Sequence, residues 1–277
     1  MRELLIGGRR IADNTDAYVI ADIDHDPWTD PERAGALFLQ AALAGAHAVV
    51  LAADAMSART RDDEAGGGPR PAGAPSNGHR EFSRTEYASV AEQAVEVGLE
   101  LVPTAADRAT VEFLGDLGAG VSAVRTEPAD ITNLPLLGAA AKLGRPMLVG
   151  VRGATGDDVR RAVDAVLPVN PELALVQCAE VRPRSAAELN LGGIVTLLAE
   201  YPGLVTGYSG NRVCPEQSWI AYAVGARILE MRMSPDRDGA PGRRRPTLDP
   251  LGLVRYDGQQ RWGGSTLPIR IGGGGSQ

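Results

Sequence analysis

The sequence predicts a (β/α)8 barrel preceded by a short N-terminal hairpin or lid, and three observations carry that prediction. Short, nearly continuous apolar runs recur along the chain, too short for helices and without the polar alternation of half-exposed strands. Amphipathic stretches with capping signals lie between them. No GxGxxG fingerprint follows the first run, which argues against an open doubly wound sheet. The 277 residues, 44% hydrophobic and 23% charged, suffice to close one such barrel around a buried core.

Residues 1–16 read as the hairpin or lid. The strands are expected at 17–23, 47–53, 99–104, 121–126, 146–151, 173–178, 204–208 and 226–231. Helices are expected at 30–44, 83–98, 107–118, 133–143, 155–167, 189–200, 215–224 and 248–256. Ser83 with Glu86, and Thr155 with Asp158, stand at capping-box spacing. Gly98, Gly118 and Gly144 stand where helices should stop. The Gly/Pro/charge-rich segment 57–82 reads as a long flexible βα loop, either a lid over the catalytic face or a plain insertion. The barrel unit is expected to span 1–262 and a flexible tail 263–277.

Composition narrows the function. The net charge of −7 and a single basic run, Arg243-Arg244-Arg245, argue against nucleic-acid binding. No apolar run is long enough to cross a membrane and no leader-like segment opens the chain, so a soluble, cytoplasmic protein is expected. Cys178 and Cys214 lack metal-site spacing and read as packing residues of a reducing compartment. Of the 28 basic side chains only Lys142 is a lysine, so chemistry that needs two lysines is ruled out. Arginine is a poor base and a good oxyanion clamp.

In a barrel, function gathers at the C-terminal strand ends and the loops that follow. Five arginines (125, 152, 182, 212 and 232) fall there and would form a cationic mouth if they converge. The alternative is local pairing: Arg125 with Glu127, Arg182 with Glu180, and Arg232 with Glu230 or Asp236. Segment 22–26 offers oxygen and imidazole donors, but strand alternation divides them. A solvated acidic loop, or a set of partners for the arginines, is the reading adopted, with no metal. His47 opens a strand at its N-terminal end and reads as structural; His79 reads as solvated.

The stretch DITNLPLLGAAAKLGRP (130–146) resembles the sialic acid (N-acetylneuraminate) synthase family closely. Further similar pieces are YVIADI (18–23), AALAGAHAVV (41–50), 86–107, VEFLGDLG (111–118), GYSGN (207–211) and 223–237. The resemblance implies a (β/α)8 barrel that condenses phosphoenolpyruvate with a sugar aldehyde, using a divalent metal. This sequence departs from that pattern at most of the implied site positions. Asp22 replaces a glutamate, and Thr104 and Asp107 are kept. The first phosphoenolpyruvate lysine falls at Val50 and the second at Arg125, with a following serine at Pro128. A Ser-Thr-Gly phosphate turn becomes Gly150-Val151-Arg152. The two metal-binding histidines fall at Gln177 and Asn211, Glu-Lys-His becomes Glu230-Met231-Arg232, and Asp-His becomes Arg243-Arg244. A chain without the family's C-terminal antifreeze-like domain is expected.

The resulting expectation is a divergent, metal-independent, cofactor-free barrel enzyme of carbohydrate or natural-product biosynthesis. It would act on a small anionic sugar-like or keto-acid substrate, such as phosphoenolpyruvate or a sugar derivative. Asp22 and Glu230 would be the catalytic pair. Thr104, Arg125, Arg152, Gln177, Tyr208, Ser209, Asn211, Arg212 and Arg232 would bind substrate. Two alternatives stand beside it. One is a catalytically silent relative that binds a small anion or a partner subunit, as a homodimer or with a paralogue. The other is family-type condensation of phosphoenolpyruvate to a nonulosonic acid.

Overall fold

The computed structural model describes residues 2–23, 31–51, 84–179, 189–210 and 215–233. The chain opens with an antiparallel hairpin, β1 (Glu3–Ile6) and β2 (Arg9–Ala12). Its two-residue turn is Gly7-Gly8, both at positive φ, the geometry that matches the right-handed twist of paired strands. Leu4, Ile6 and Ile11 pack into the cluster that also holds Tyr18, Ala48 and Ile228, all near strand starts. The hairpin therefore floors the barrel at the end opposite the strand C-termini. Of the two readings of 1–16, hairpin or lid, the hairpin holds.

Eight parallel strands follow: β3 (Tyr18–Ile23), β4 (Ala48–Leu51), β5 (Glu100–Pro103), β6 (Val124–Thr126), β7 (Met147–Val151), β8 (Leu173–Cys178), β9 (Val205–Gly210) and β10 (Ile228–Met233). Their order is β5-β4-β3-β10-β9-β8-β7-β6. The remaining seam closes through a parallel bridge between Thr104 and Arg125. Ala105 N donates to Arg125 O (2.8 Å) and Ser122 N to Leu101 O (3.0 Å) across it. The predicted barrel is thus observed.

Helices α1 (Pro31–Leu43), α2 (Arg84–Glu96), α3 (Arg108–Leu117), α4 (Leu134–Ala141), α5 (Gly156–Val166), α6 (Gly192–Glu200) and α7 (Pro215–Ala223) each follow a strand from β3 to β9. The predicted helix 248–256, loop 57–82 and tail 263–277 lie outside the described residues, as does Ser83. Thr155 and Asp158 form the predicted capping box at the start of α5. Among the described residues no helix is long and apolar enough to cross a membrane.

Strand alternation divides the core into two layers. Ile20, Val50, Val102, Ala123, Leu148, Val176 and Val205 face the barrel interior. Their neighbours in sequence face the helices, where Val19, Val49, Leu101, Tyr208 and Leu229 pack against Leu37, Phe38 and Val90. His47 is structural, as predicted: its Nδ1 accepts from Val19 N (2.9 Å) and its ring stacks on Tyr18.

Asp107, kept from the family pattern, caps α3 by accepting from Thr110 N (2.7 Å). Replacing it with alanine is expected to cost about 1 kcal/mol of unfolding free energy, with asparagine retaining most of it. The shift in urea midpoint reads this directly.

Candidate functional site

Continuing the period-two alternation to the strand C-termini builds one inward-facing group from several strands. It contains Asp22 on β3, Thr104 after β5, Arg125 on β6, Arg152 after β7, Cys178 on β8, Ser209 on β9, and Glu230 and Arg232 on β10.

The centre of the group is an ion pair that crosses the barrel. Arg125 Nη1 donates to Glu230 Oε1 at 2.7 Å. The two residues stand on β6 and β10, four strands apart in the ring of eight and so on opposite walls. Their side chains are only 12% and 7% exposed. Ser209 Oγ donates to the same Glu230 oxygen at 2.9 Å. Arg125 Nη2 donates to Glu127, whose side chain is 41% exposed.

Burial raises the Glu230 carboxyl above the usual glutamate range. The Asp22 and Glu127 carboxylates push it the same way, while Arg125 and Ser209 oppose. Burial works against the Arg125 charge, but the Glu230, Glu127 and Asp22 carboxylates more than offset that and hold it protonated. The Cys178 thiol is pushed up to about 12 by burial and by Glu230, with Arg125 and Arg152 acting in the opposite sense. It is therefore not a thiolate nucleophile, in keeping with its expected packing role.

Two residues further along β10, on the same face as Glu230, Arg232 Nε lies 3.9 Å from Asp22 Oδ2, its register partner on β3. Asp22 thus serves as a partner for an arginine. Of the two local partners expected for Arg232, Glu230 bonds to Arg125 instead and Asp236 lies outside the described residues. Arg152 is half-buried and forms no ion pair with a described residue. Thr104 is fully buried, and its Oγ1 has no hydrogen-bond partner among the described residues.

Two of the sequence-predicted residues are not brought into this group. Tyr208 packs on the helix side with Val19, Ala21 and Leu229. Gln177 faces α6, where a Cβ on Gly193 would come within 2.6 Å of its Oε1, and its Nε2 donates to Cys178 O. Each neighbours an inward residue, Ser209 and Cys178 respectively, so alternation turns it away. From the sequence, Glu127 reads only as a local partner of Arg125. Its place two residues beyond Arg125, on the same face, is the signal that finds it. Asn211, Arg212, Arg182, Cys214, His79 and residues 24–26 lie outside the described residues.

Three departures from the family pattern acquire physical content. Val50, at the first lysine position, is fully buried among Ile20, Val102 and Ala48, where an ammonium would be desolvated. Pro128 and Gly150 form one packing unit. A Cβ on Gly150 would lie 2.9 Å from Pro128 Cγ and 3.0 Å from its Cδ and backbone N. The two positions where the resemblance calls for serine thus lie against each other. At the one described position where the resemblance implies a metal-binding histidine, Gln177 presents an amide to α6, and the other, Asn211, lies outside the described residues.

The model of the NeuB family matches residues 41–247. The chain belongs to the NeuB family. The N-acetylneuraminate-9-phosphate synthase of Homo sapiens is 30% identical over 172 residues, 62% of this chain and 47% of that protein. The corresponding synthase of Drosophila melanogaster is 28% identical over 243 residues, 85% of this chain and 65% of that protein. The chain thus spans between about half and two thirds of the length of these relatives. Among solved structures, the sialic acid synthetase of Leptospira borgpetersenii superposes with a TM-score of 0.80 at 22% identity, covering 100% of this chain and 93% of that one. A truncated 3-deoxy-D-arabino-heptulosonate 7-phosphate synthase of Thermotoga maritima gives 0.71 at 14% identity, covering 94% and 90%. Both share the barrel of this NeuB-family chain, and the resemblance read from 130–146 is borne out at the level of the family.

Proposed function

We propose that this NeuB-family barrel is an enzyme acting on an anionic sugar-like or keto-acid substrate without the divalent metal that the family resemblance implies. The observation that carries the reading is Glu230. It is a buried carboxyl with a raised pKa, held at the barrel mouth by Arg125 and Ser209. A perturbed carboxyl in a concave, partly charged site is suited to proton transfer near neutral pH.

In this reading Glu230 carries the proton and Asp22 stands beside the Arg232 guanidinium. Arg152 and Thr104 meet the ligand, and Asn211 and Arg212 join them by sequence position after β9. Relatives named N-acetylneuraminate-9-phosphate synthase and N,N'-diacetyllegionaminic acid synthase support a place in sugar-acid biosynthesis. A cytoplasmic location and a homodimeric or paralogue-paired state belong to the same proposal.

One observation favours the silent-binder alternative: Arg125 is already saturated by two carboxylates of its own chain. An assay of phosphoenolpyruvate consumption with a panel of N-acylated sugar aldehydes, in EDTA and then in manganese, separates the readings. Turnover unchanged by EDTA supports the proposal. Manganese-dependent turnover replaces it with family-type condensation. Binding without turnover of any pair replaces it with the silent binder.

A further inference from the structure

The two carboxylates on Arg125 are held very differently. Glu230 is 7% exposed and is fixed by a second bond from Ser209. Glu127 is 41% exposed. It precedes the 3-10 turn Pro128–Asp130, yet its side chain makes no capping bond there; Arg125 holds it instead. The residue after it, Pro128, packs close to Gly150, and the Glu127 carboxylate reaches Arg125 through rotatable side-chain bonds.

A guanidinium flanked by two carboxylates carries a local surplus of negative charge. An incoming anion would meet repulsion unless one of them leaves. Only Glu127 can leave into water at low cost, because Glu230 would have to be extracted from the barrel interior. We infer that Glu127 is an internal stand-in for the substrate: a substrate carboxylate displaces it from Arg125 Nη2, and its side chain swings to solvent. This rests on the proposal that the barrel mouth takes an anionic ligand. The group it selects is a carboxylate rather than a phosphate. A planar monoanion reproduces the bond that Glu127 makes, whereas a phosphate dianion adds a second charge beside Glu230.

The test is a ligand-observed NMR titration of the full chain with pyruvate and, separately, with inorganic phosphate. It compares the wild type with Glu127→Gln and Glu127→Ala, with thermal melts to confirm folding. Removing the competitor should tighten pyruvate binding about fivefold in both variants, while phosphate affinity changes less. Pyruvate binding that is unchanged or weaker in folded variants would overturn the inference. So would loss of the folded state in both, which would make Glu127 a structural partner. An equal gain for phosphate would overturn the carboxylate assignment. If neither probe binds wild type or variants, the anionic-ligand reading itself falls.

Discussion

Replacing Arg125 with methionine is expected to destabilise the protein by about 3–5 kcal/mol, the range for breaking a buried ion pair from one side. The variant leaves Glu230 buried, with Asp22 and Glu127 nearby and only Ser209 to hold it. The loss should depend on pH with a definite sign. Burial already raises Glu230 above its ordinary value of 4.5, and Arg125 is the strongest opposing influence. Without that cation the folded-state pKa rises further. A raised folded pKa gives stability that is fully present below the unfolded value and is lost as pH climbs through the folded value. The deficit of the variant should therefore be smaller near about pH 4 than near about pH 8. Urea unfolding of both proteins across that range checks it; a deficit independent of pH would mean that Glu230 is not the group left behind. Replacing both partners together, Arg125→Met with Glu230→Leu, should recover much of the loss.

The second large effect is expected at Gly150. An alanine there would press its Cβ into the Pro128 ring and backbone nitrogen. Strand β7 is fully buried and cannot shift freely, so the cost should be about 1–3 kcal/mol. Most of it should vanish in a Pro128→Ala background, with a coupling above about 1 kcal/mol in the double-mutant cycle. Additive costs would show that the two departures from the family's serines are independent. Coupled costs would show that Pro128 and Gly150 form one packing unit.

The barrel was legible because its strands are short apolar runs and its helices carry local stop and start signals. The run at 173–178 coincides with β8. The run at 226–231 was placed early. Ala226 N bonds to Ala221 O in the turn leaving α7, so β10 begins at Ile228 and ends at Met233. The run at 121–126 was too long by its first residues, because Val121 N closes the 3-10 turn from Gly118.

The site was legible in its chemistry and less so in its facing. Asp22, Thr104, Arg125, Arg152, Ser209, Glu230 and Arg232 converge on one side of the strands. Gln177 and Tyr208 lie at the same strand ends, but a one-residue offset reverses the side on which a side chain stands. The partner of Arg125 was half legible. Glu127 is two residues away, while Glu230 is 105 residues away and is brought close only by closing the ring.

The proposed mouth binds an anion through arginine without a divalent metal. Titration of phosphoenolpyruvate into wild-type and Arg152→Gln protein, in EDTA and again in manganese, tests it most directly. Saturable binding in EDTA, unchanged by manganese and weakened about tenfold in the Arg152 variant, is expected. Binding that requires manganese, or that is indifferent to Arg152, would contradict it.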